Sequence, residues 1–144
     1  DEFLRVLHLN VLGTMLSVKY SAAHMVAAGG GSFVGMSSLA GHIPHPMFGA
    51  YCVSKAGIEE MMRNAANEYG ETKVRFNAIA PALIEGSTMF DAMAPERRAY
   101  HRDQSPTKRL TSTSELAGVI VDLCGPAWRN LNGQVIRING GVHV

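Results

Sequence analysis

The sequence lacks a strong charge of either sign, a set of cysteines and any long uninterrupted apolar run. Its 13 Lys and Arg against 12 Asp and Glu leave a net charge of +1, so we expect neither nucleic acid nor an anionic membrane as a partner. Two cysteines, Cys52 and Cys124, do not form a disulfide framework and favour a reducing, cytoplasmic location. No apolar segment reaches the roughly 20 residues of a membrane-spanning helix without a charged or polar break.

The composition is that of one globular domain, with 47% hydrophobic and 17% charged residues in a chain of 144. Apolar residues recur at helical spacing in some segments and form short strand-like runs in others. The predicted elements are a helix over 2–28, a strand over 32–36, a helix over 51–69, a strand over 74–80, a helix beginning after Ser112 and a strand over 133–140. This alternation predicts an α/β fold with a doubly wound parallel sheet covered on both faces.

Local signals mark the boundaries of the later elements. Pro81 is expected to end its strand, because proline cannot donate a hydrogen bond to a central ladder. Ser112 and Glu115 have the spacing of a capping box at the start of the last helix. Between these points, residues 82–111 carry charges and few periodic apolar residues, which predicts a functional lid or a mobile loop. Within it, the charged stretch 95–104 is expected to lie on a solvated surface.

Tyr51 and Lys55 are four residues apart in a predicted helix and therefore share one of its faces. Ligands of parallel sheets bind outside the carboxyl ends of the strands, and this helix follows such an end. A phenol has a pKa of about 10 in water, and a neighbouring ammonium favours its ionised form. Taken alone, the pair is either an ordinary solvated surface contact or a proton donor with its electrostatic partner.

The surrounding motifs resemble those of the short-chain dehydrogenase/reductase family, in order and over essentially the whole chain. The matching stretches are "NVLG" at 10–13, "MSSLAG" at 36–41, "YCVSK" at 51–55, "VRFNAIAPALI" at 74–84 and "NGQVIRINGG" at 132–141. Each motif is modest, but their combination is specific. The resemblance implies a Rossmann-like fold and a nicotinamide-dependent oxidoreductase acting on a ketone or a secondary alcohol.

The resemblance also implies a role for four residues. Tyr51 would be the general acid in carbonyl reduction and the base in alcohol oxidation. Lys55 would activate Tyr51 and bind the nicotinamide ribose, and Ser38 would donate a hydrogen bond to the substrate oxygen. Asn10 would hold a helix distortion and a water that connects Lys55 to solvent. Without the other motifs, Ser38 is also typical of a turn and Asn10 of a polar residue within an apolar helix.

The same resemblance assigns cofactor contacts to Tyr51, Lys55 and the segment after the second strand, where Pro81, Ala82 and Ile84 would lie against the nicotinamide. Ala82 replaces the glycine that usually follows this proline. Its methyl group leaves less room for the backbone to lie close to the cofactor.

A second departure lies a few residues further along the chain. Gly86 occupies a position at which threonine is common in the family, and Ser87 and Thr88 follow it. The sequence leaves open whether one of these two hydroxyl groups, or neither, contacts the cofactor. The choice between NAD and NADP is left open by these residues.

No stretch matches the Gly-rich turn that follows a strand and holds the pyrophosphate in this family. "GGGS" at 29–32 precedes a strand instead of following one. We therefore expect residues 1–144 to be the catalytic half of one domain, without its N-terminal phosphate-binding half. On this expectation, the 144 residues alone bind dinucleotide weakly or not at all and are inactive.

Alternative functions are kept open beside the reductase. One is a fold relative that binds without turnover; another is an epimerase or dehydratase of the extended relatives, which share the Tyr and Lys motif. The predicted helices over 2–28 and 51–69 carry more apolar surface than one sheet face covers. Together with the resemblance, this predicts a homodimer or homotetramer, with small carbonyl or alcohol substrates as the other partners.

The remaining candidates are weaker. His42 and His45 are three residues apart but have no third ligand at useful spacing, so we predict no metal site and assign them to loop polarity. Met47, Met89 and Met93 fall in predicted loops and are typical either of an apolar substrate pocket or of a loosely packed surface.

Overall fold

The computed structural model describes residues 1–142, and its centre is a three-stranded parallel sheet. Its strands are β1 Gly31–Met36, β2 Val74–Pro81 and β5 Val135–Ile138, which lie side by side in that order. Two short strands, β3 Ile84–Glu85 and β4 Thr111–Ser112, form a separate parallel pair. The register aligns Phe33 with Phe76 and Ile79 with Ile136. These elements confirm the predicted α/β fold and its parallel sheet.

Helices cover both faces of this sheet. They are α1 Glu2–Leu7, α2 Gly13–Ala27, α3 Gly49–Glu68, α4 Thr88–Asp91, α5 Pro95–Gln104 and α6 Thr113–Cys124. One core cluster joins α2 and α3 to Phe76 and Ala78 of β2. A second cluster joins α6 to Ile79 of β2, which points to the opposite face because side chains alternate along a strand.

The predicted helix over 2–28 is present over Glu2–Ala27, and its middle carries the distortion expected at Asn10. A π-helical segment, His8–Leu12, separates α1 from α2, and the backbone N–H of Gly13 reaches the carbonyl of His8 across it. Such wider turns are uncommon and occur frequently at functional sites.

The strand ends at the predicted proline, but it is one residue longer than expected, because Pro81 is the last residue of β2 and pairs with Ile138 of β5. The backbone N–H of Ala82, the next residue, donates to the carbonyl of Ile138. Position 81 therefore faces the side of β1, whose last paired residue is Met36. No neighbouring strand needs a donor there, so the missing N–H of proline costs nothing.

The segment over 82–111 is more ordered than a loop. It contains α4 and α5, and its two ends are joined by the pairing of Ile84 with Thr111. The charged stretch 95–104 forms α5. The predicted capping box is confirmed at the start of α6, where Ser112 Oγ accepts from the N–H of Glu115 and the N–H of Ser112 donates to the Glu115 carboxylate.

Candidate active site

A cavity of about 830 Å³ opens beside the carboxyl ends of β1 and β2, where a parallel sheet places its ligands. The structure brings six of the seven predicted site residues to its lining. These are Ser38, Tyr51, Lys55, Pro81, Ala82 and Ile84. Asn10, the seventh, does not line the cavity.

Tyr51 and Lys55 lie in the first turns of α3 and face the cavity together. The Lys55 ammonium nitrogen is 5.4 Å from the centre of the Tyr51 ring. Lys55 is only 8% exposed, and its Nζ donates a 2.9 Å hydrogen bond to the carbonyl of Met36 at the end of β1. Burial lowers the pKa of Lys55, because desolvation penalises the charged form. The site thus holds a weakly hydrated cation next to a phenol.

Ser38 enters the cavity from the loop that follows β1. Its Oγ accepts a 3.2 Å hydrogen bond from the N–H of Ala40 and begins a single turn of 3₁₀-helix over Leu39–Gly41. Because an N–H is the donor in this contact, the hydroxyl proton of Ser38 is available for a ligand. Ser38 is therefore held as a hydrogen-bond donor on the same cavity as Tyr51.

Asn10 lies in the π-helical segment and contacts the active site through α3. Its Nδ2 donates a 2.9 Å hydrogen bond to Ser54 Oγ, and Ser54 Oγ donates in turn to the backbone carbonyl of Tyr51 at 2.7 Å. Thr14 Oγ1 donates a 2.7 Å hydrogen bond to the backbone carbonyl of Asn10. The helix distortion expected at Asn10 is present, and the side chain is placed to position α3.

The end of β2 supplies the third wall of the cavity. Ile84 is buried, and its carbonyl accepts a 2.8 Å hydrogen bond from Ser87 Oγ. Ser87 lines the cavity, whereas Thr88 does not. The Ser87 hydroxyl already donates to Ile84 and accepts from the N–H of Phe90, so its main role is to cap α4. Among the three methionines considered, Met89 and Met93 line the cavity, and Met47 does not.

The sequence offered no sign of one buried carboxylate beneath the site. Glu59 is 3% exposed, and its Oε1 accepts a 2.6 Å hydrogen bond from Ser37 Oγ. His42 Nε2 lies 3.1 Å from the same oxygen, off the line of a hydrogen bond. A side chain at Gly41 would collide with this oxygen at 2.6 Å. Glu59 lies on α3 and contacts both ends of the turn that carries Ser38, at Ser37 and at His42. It therefore holds this turn against the helix.

Glu59→Ala should lower the free energy of unfolding by about 2 kcal/mol, because it removes the 2.6 Å acceptor of the buried Ser37 hydroxyl and leaves only the Lys55 carbonyl at 3.1 Å. Urea denaturation measures the loss. The neighbouring Glu60 is a matched control: it is exposed and bonded to Arg63, so Glu60→Ala should change the free energy by no more than about 0.5 kcal/mol. Equal effects of the two substitutions would contradict the buried role of Glu59.

Other classes of site are not found in the part of the chain that the structure describes. Residues 1–142 contain no group of three or more His, Cys, Asp or Glu side chains placed to hold a metal ion. Over the same range, no helix combines the length and the apolar character needed to cross a bilayer. Cys52 and Cys124 are both free thiols.

Comparisons with known proteins identify relatives of this chain. The family model described as enoyl-(acyl carrier protein) reductase matches residues 1–143. Protein FixR of Bradyrhizobium diazoefficiens is 35% identical over all of this chain and half of its own length. The 7α-hydroxysteroid dehydrogenase of Clostridium sardiniense is 30% identical over 98% of this chain and 54% of its own length.

A solved structure is similar throughout the fold. The structure of a 7α-hydroxysteroid dehydrogenase complexed with NADH and 7-oxo glycochenodeoxycholic acid superimposes with a TM-score of 0.92 at 29% identity, over 97% of this chain and 55% of that one. The chain thus spans about half the length of the relatives it matches. On the family match, the relatives and the shared fold, this chain belongs to the short-chain dehydrogenase/reductase family of oxidoreductases.

Proposed function

We propose that the whole protein transfers a hydride between NAD or NADP and a ketone or secondary alcohol. The observation that carries this proposal is the buried Lys55 ammonium, 5.4 Å from the Tyr51 ring, on one cavity with Ser38. A non-catalytic binding protein has no need to bury a cation beside a phenol, and such burial costs stability.

In this mechanism, Tyr51 gives its hydroxyl proton to the substrate oxygen during reduction and takes it back during oxidation. Lys55 stabilises the negative charge that remains on the tyrosine oxygen, and it acts strongly because it is screened little by water. Ser38 donates to the substrate oxygen and stabilises the charge that develops there. The chain thus positions the substrate oxygen, supplies the proton and stabilises the charges that develop during the reaction.

The residues of the cavity fit a nicotinamide cofactor, which supplies the hydride when it is bound. The Lys55 ammonium has three N–H donors, and the described residues use one, at Met36. Two donors are left for ribose hydroxyls, and Pro81, Ala82 and Ile84 line the wall where the ring would lie. A relative complexed with NADH supports the same cofactor class.

We assign the pyrophosphate to residues outside these 144, which contain no Gly-rich turn between a strand and a helix. Asn10 would act through α3: its contact to Ser54 fixes the backbone of Tyr51, and a water held near it would link Lys55 to solvent. Asn10 is in this view a positioning residue.

Hydride transfer is tested directly with the whole protein and with NADH or NADPH carrying deuterium at the transferable position. We expect one of the two cofactors to deliver deuterium to the carbinol carbon of the product alcohol across a panel of ketones, as read by mass spectrometry. The absence of transfer from both cofactors to every ketone would overturn the proposal.

We also propose that the protein is a homodimer or homotetramer. The helices α1 and α2, with the π-helical segment between them, expose a large apolar surface. Its members are Phe3, Leu4, Leu9, Leu12, Met15, Leu16 and Tyr20. Monomeric proteins seldom expose a patch of this kind, which is typical of a protein–protein interface. The second interface would be the edge strand β5.

Met15→Glu should therefore reduce the molecular mass that light scattering measures, because it places a charge in the centre of this surface. Val121→Glu on α6 is the control, since Val121 is more exposed than Met15 but lies outside the patch, and the variant should keep the native mass. A monomeric whole protein before any substitution would refute the assembly.

A further inference from the structure

Helix α5 turns one polar face towards the cavity. Arg97, Tyr100, His101 and Gln104 all line it, and their spacing of three and four residues places them along one side of the helix. The prediction of a solvated surface for 95–104 is therefore incomplete, because one face of α5 also lines the cavity. Every side chain on this face ends in a hydrogen-bond donor or a cation.

The cavity has a strongly one-sided charge. Its lining includes Arg97, Arg109 and Arg137 together with His45 and His101, in addition to Lys55. Among residues 1–142 no aspartate or glutamate lines it. A cavity lined by one sign of charge concentrates ligands of the opposite sign.

Arg97 is the cation best placed to meet a ligand. Arg109 is paired with Glu115 at 2.6 Å, whereas Arg97 and Arg137 take part in no ion pair within residues 1–142. Of these two, Arg97 lies on the polar face of α5 beside His101. Arg97 and His45 lie close to His101: burial lowers the pKa of His101, and the charges of Arg97 and His45 lower it further. Three basic side chains, two from α5 and one from the loop after β1, thus lie together on the lining of the cavity.

The rest of the lining is largely apolar and includes Ile43, Phe48, Met89, Met93 and Leu110. Resting on the oxidoreductase function proposed above, we infer that the substrate is an oxo acid or hydroxy acid. Its carbonyl or alcohol meets Ser38 and Tyr51, its apolar body contacts the methionines, and its carboxylate binds Arg97 with the neighbouring histidines. Arginine suits this task because its planar fork bonds a carboxylate through two parallel contacts.

The test uses the whole protein with methyl-ketone acids, from levulinate to 9-oxodecanoate, and the methyl ester of each acid. At the chain length that fits, kcat/KM for the acid should exceed that for the ester about five- to tenfold. Arg97→Leu should bring this ratio close to one, through a higher KM for the acid. Arg102→Leu is the matched control, because Arg102 lies on the same helix but bonds Glu85 and does not line the cavity. In this variant the acid-to-ester ratio of kcat/KM should keep its native value.

Equal kcat/KM for acid and ester at every chain length would overturn the inference. So would an Arg97→Leu variant that raises the KM of NADH or NADPH and leaves the acid-to-ester ratio intact, since Arg97 would then bind a cofactor phosphate. Equilibrium binding of each acid and ester, measured by calorimetry, separates the two proposals. Acids that bind more tightly than esters, while no ketone of the panel receives deuterium from either cofactor, would support the carboxylate site and contradict the oxidoreductase function.

Discussion

Tyr51→Phe should lower kcat of the whole protein by about 10²–10⁴-fold, the usual contribution of general acid–base catalysis. The substitution removes one hydroxyl and leaves the ring, which packs edge-on against Phe48 with the ring centres 6.4 Å apart. The Lys55 contact to Met36 does not involve Tyr51 either, so the cavity keeps its shape. Initial rates of NADH or NADPH consumption measure the loss, and fluorescence titration should find cofactor affinity largely unchanged.

The matched control is Tyr20→Phe, which deletes the same atom from an exposed tyrosine on α2. It should leave kcat at the native value. A Tyr51→Phe variant that keeps a tenth or more of the native rate would remove the acid/base assignment, because another group would then supply the proton. A variant that loses cofactor affinity to the same degree as rate would assign Tyr51 to binding instead.

Phe76→Ala should lower the free energy of unfolding by about 3–5 kcal/mol, the largest stability effect expected in the chain. Phe76 is 0% exposed at the centre of β2, with the rings of Phe33 and Tyr69 at 5.8 and 5.4 Å from its own. Alanine there leaves a cavity between the sheet and α3 and removes two aromatic contacts. Urea denaturation followed by circular dichroism measures the change.

Tyr100→Ala is the control for this truncation, since Tyr100 is 60% exposed on α5 and its loss should cost less than about 1 kcal/mol. Similar losses in the two variants would mean that the ring of Phe76 is not the centre of the core. A small decrease in the free energy of unfolding of Phe76→Ala would lead to the same conclusion, because removing a phenyl group from a well-packed site is strongly destabilising.

The parts of the fold that depend on local pattern could be predicted from the sequence. The apolar run of β2 and the capping box of Ser112 and Glu115 follow from residues that are neighbours in the chain. The Tyr51 and Lys55 pair is visible because four-residue spacing fixes a shared helical face. Their shared cavity with Ser38 follows from the rule that parallel strands gather ligands at their carboxyl ends.

Features that depend on distant contacts could not be predicted. Glu59 stands beside Glu60, and the two look alike in sequence, yet one is buried against Ser37 and the other is bonded to Arg63 at the surface. Only the path of the loop after β1 distinguishes them. Likewise, α5 is charged along its whole length, so its cavity-facing side emerges only when the pairing of β3 with β4 fixes the two ends of the segment.

The wide turn over His8–Leu12 contains one residue more than a regular turn, because its hydrogen bond reaches from Gly13 back to His8. A regular α-helix advances about 100° per residue, so absorbing the extra residue within this turn spares α2 a rotation of about that size. Val18 and Ala22 keep the face that packs on the sheet, while Asn10 reaches Ser54. Deleting one residue from the wide turn should therefore leave the core in place and remove the Asn10 contact, whereas deleting one residue between Gly13 and Val18 should turn Val18 and Ala22 away from the sheet.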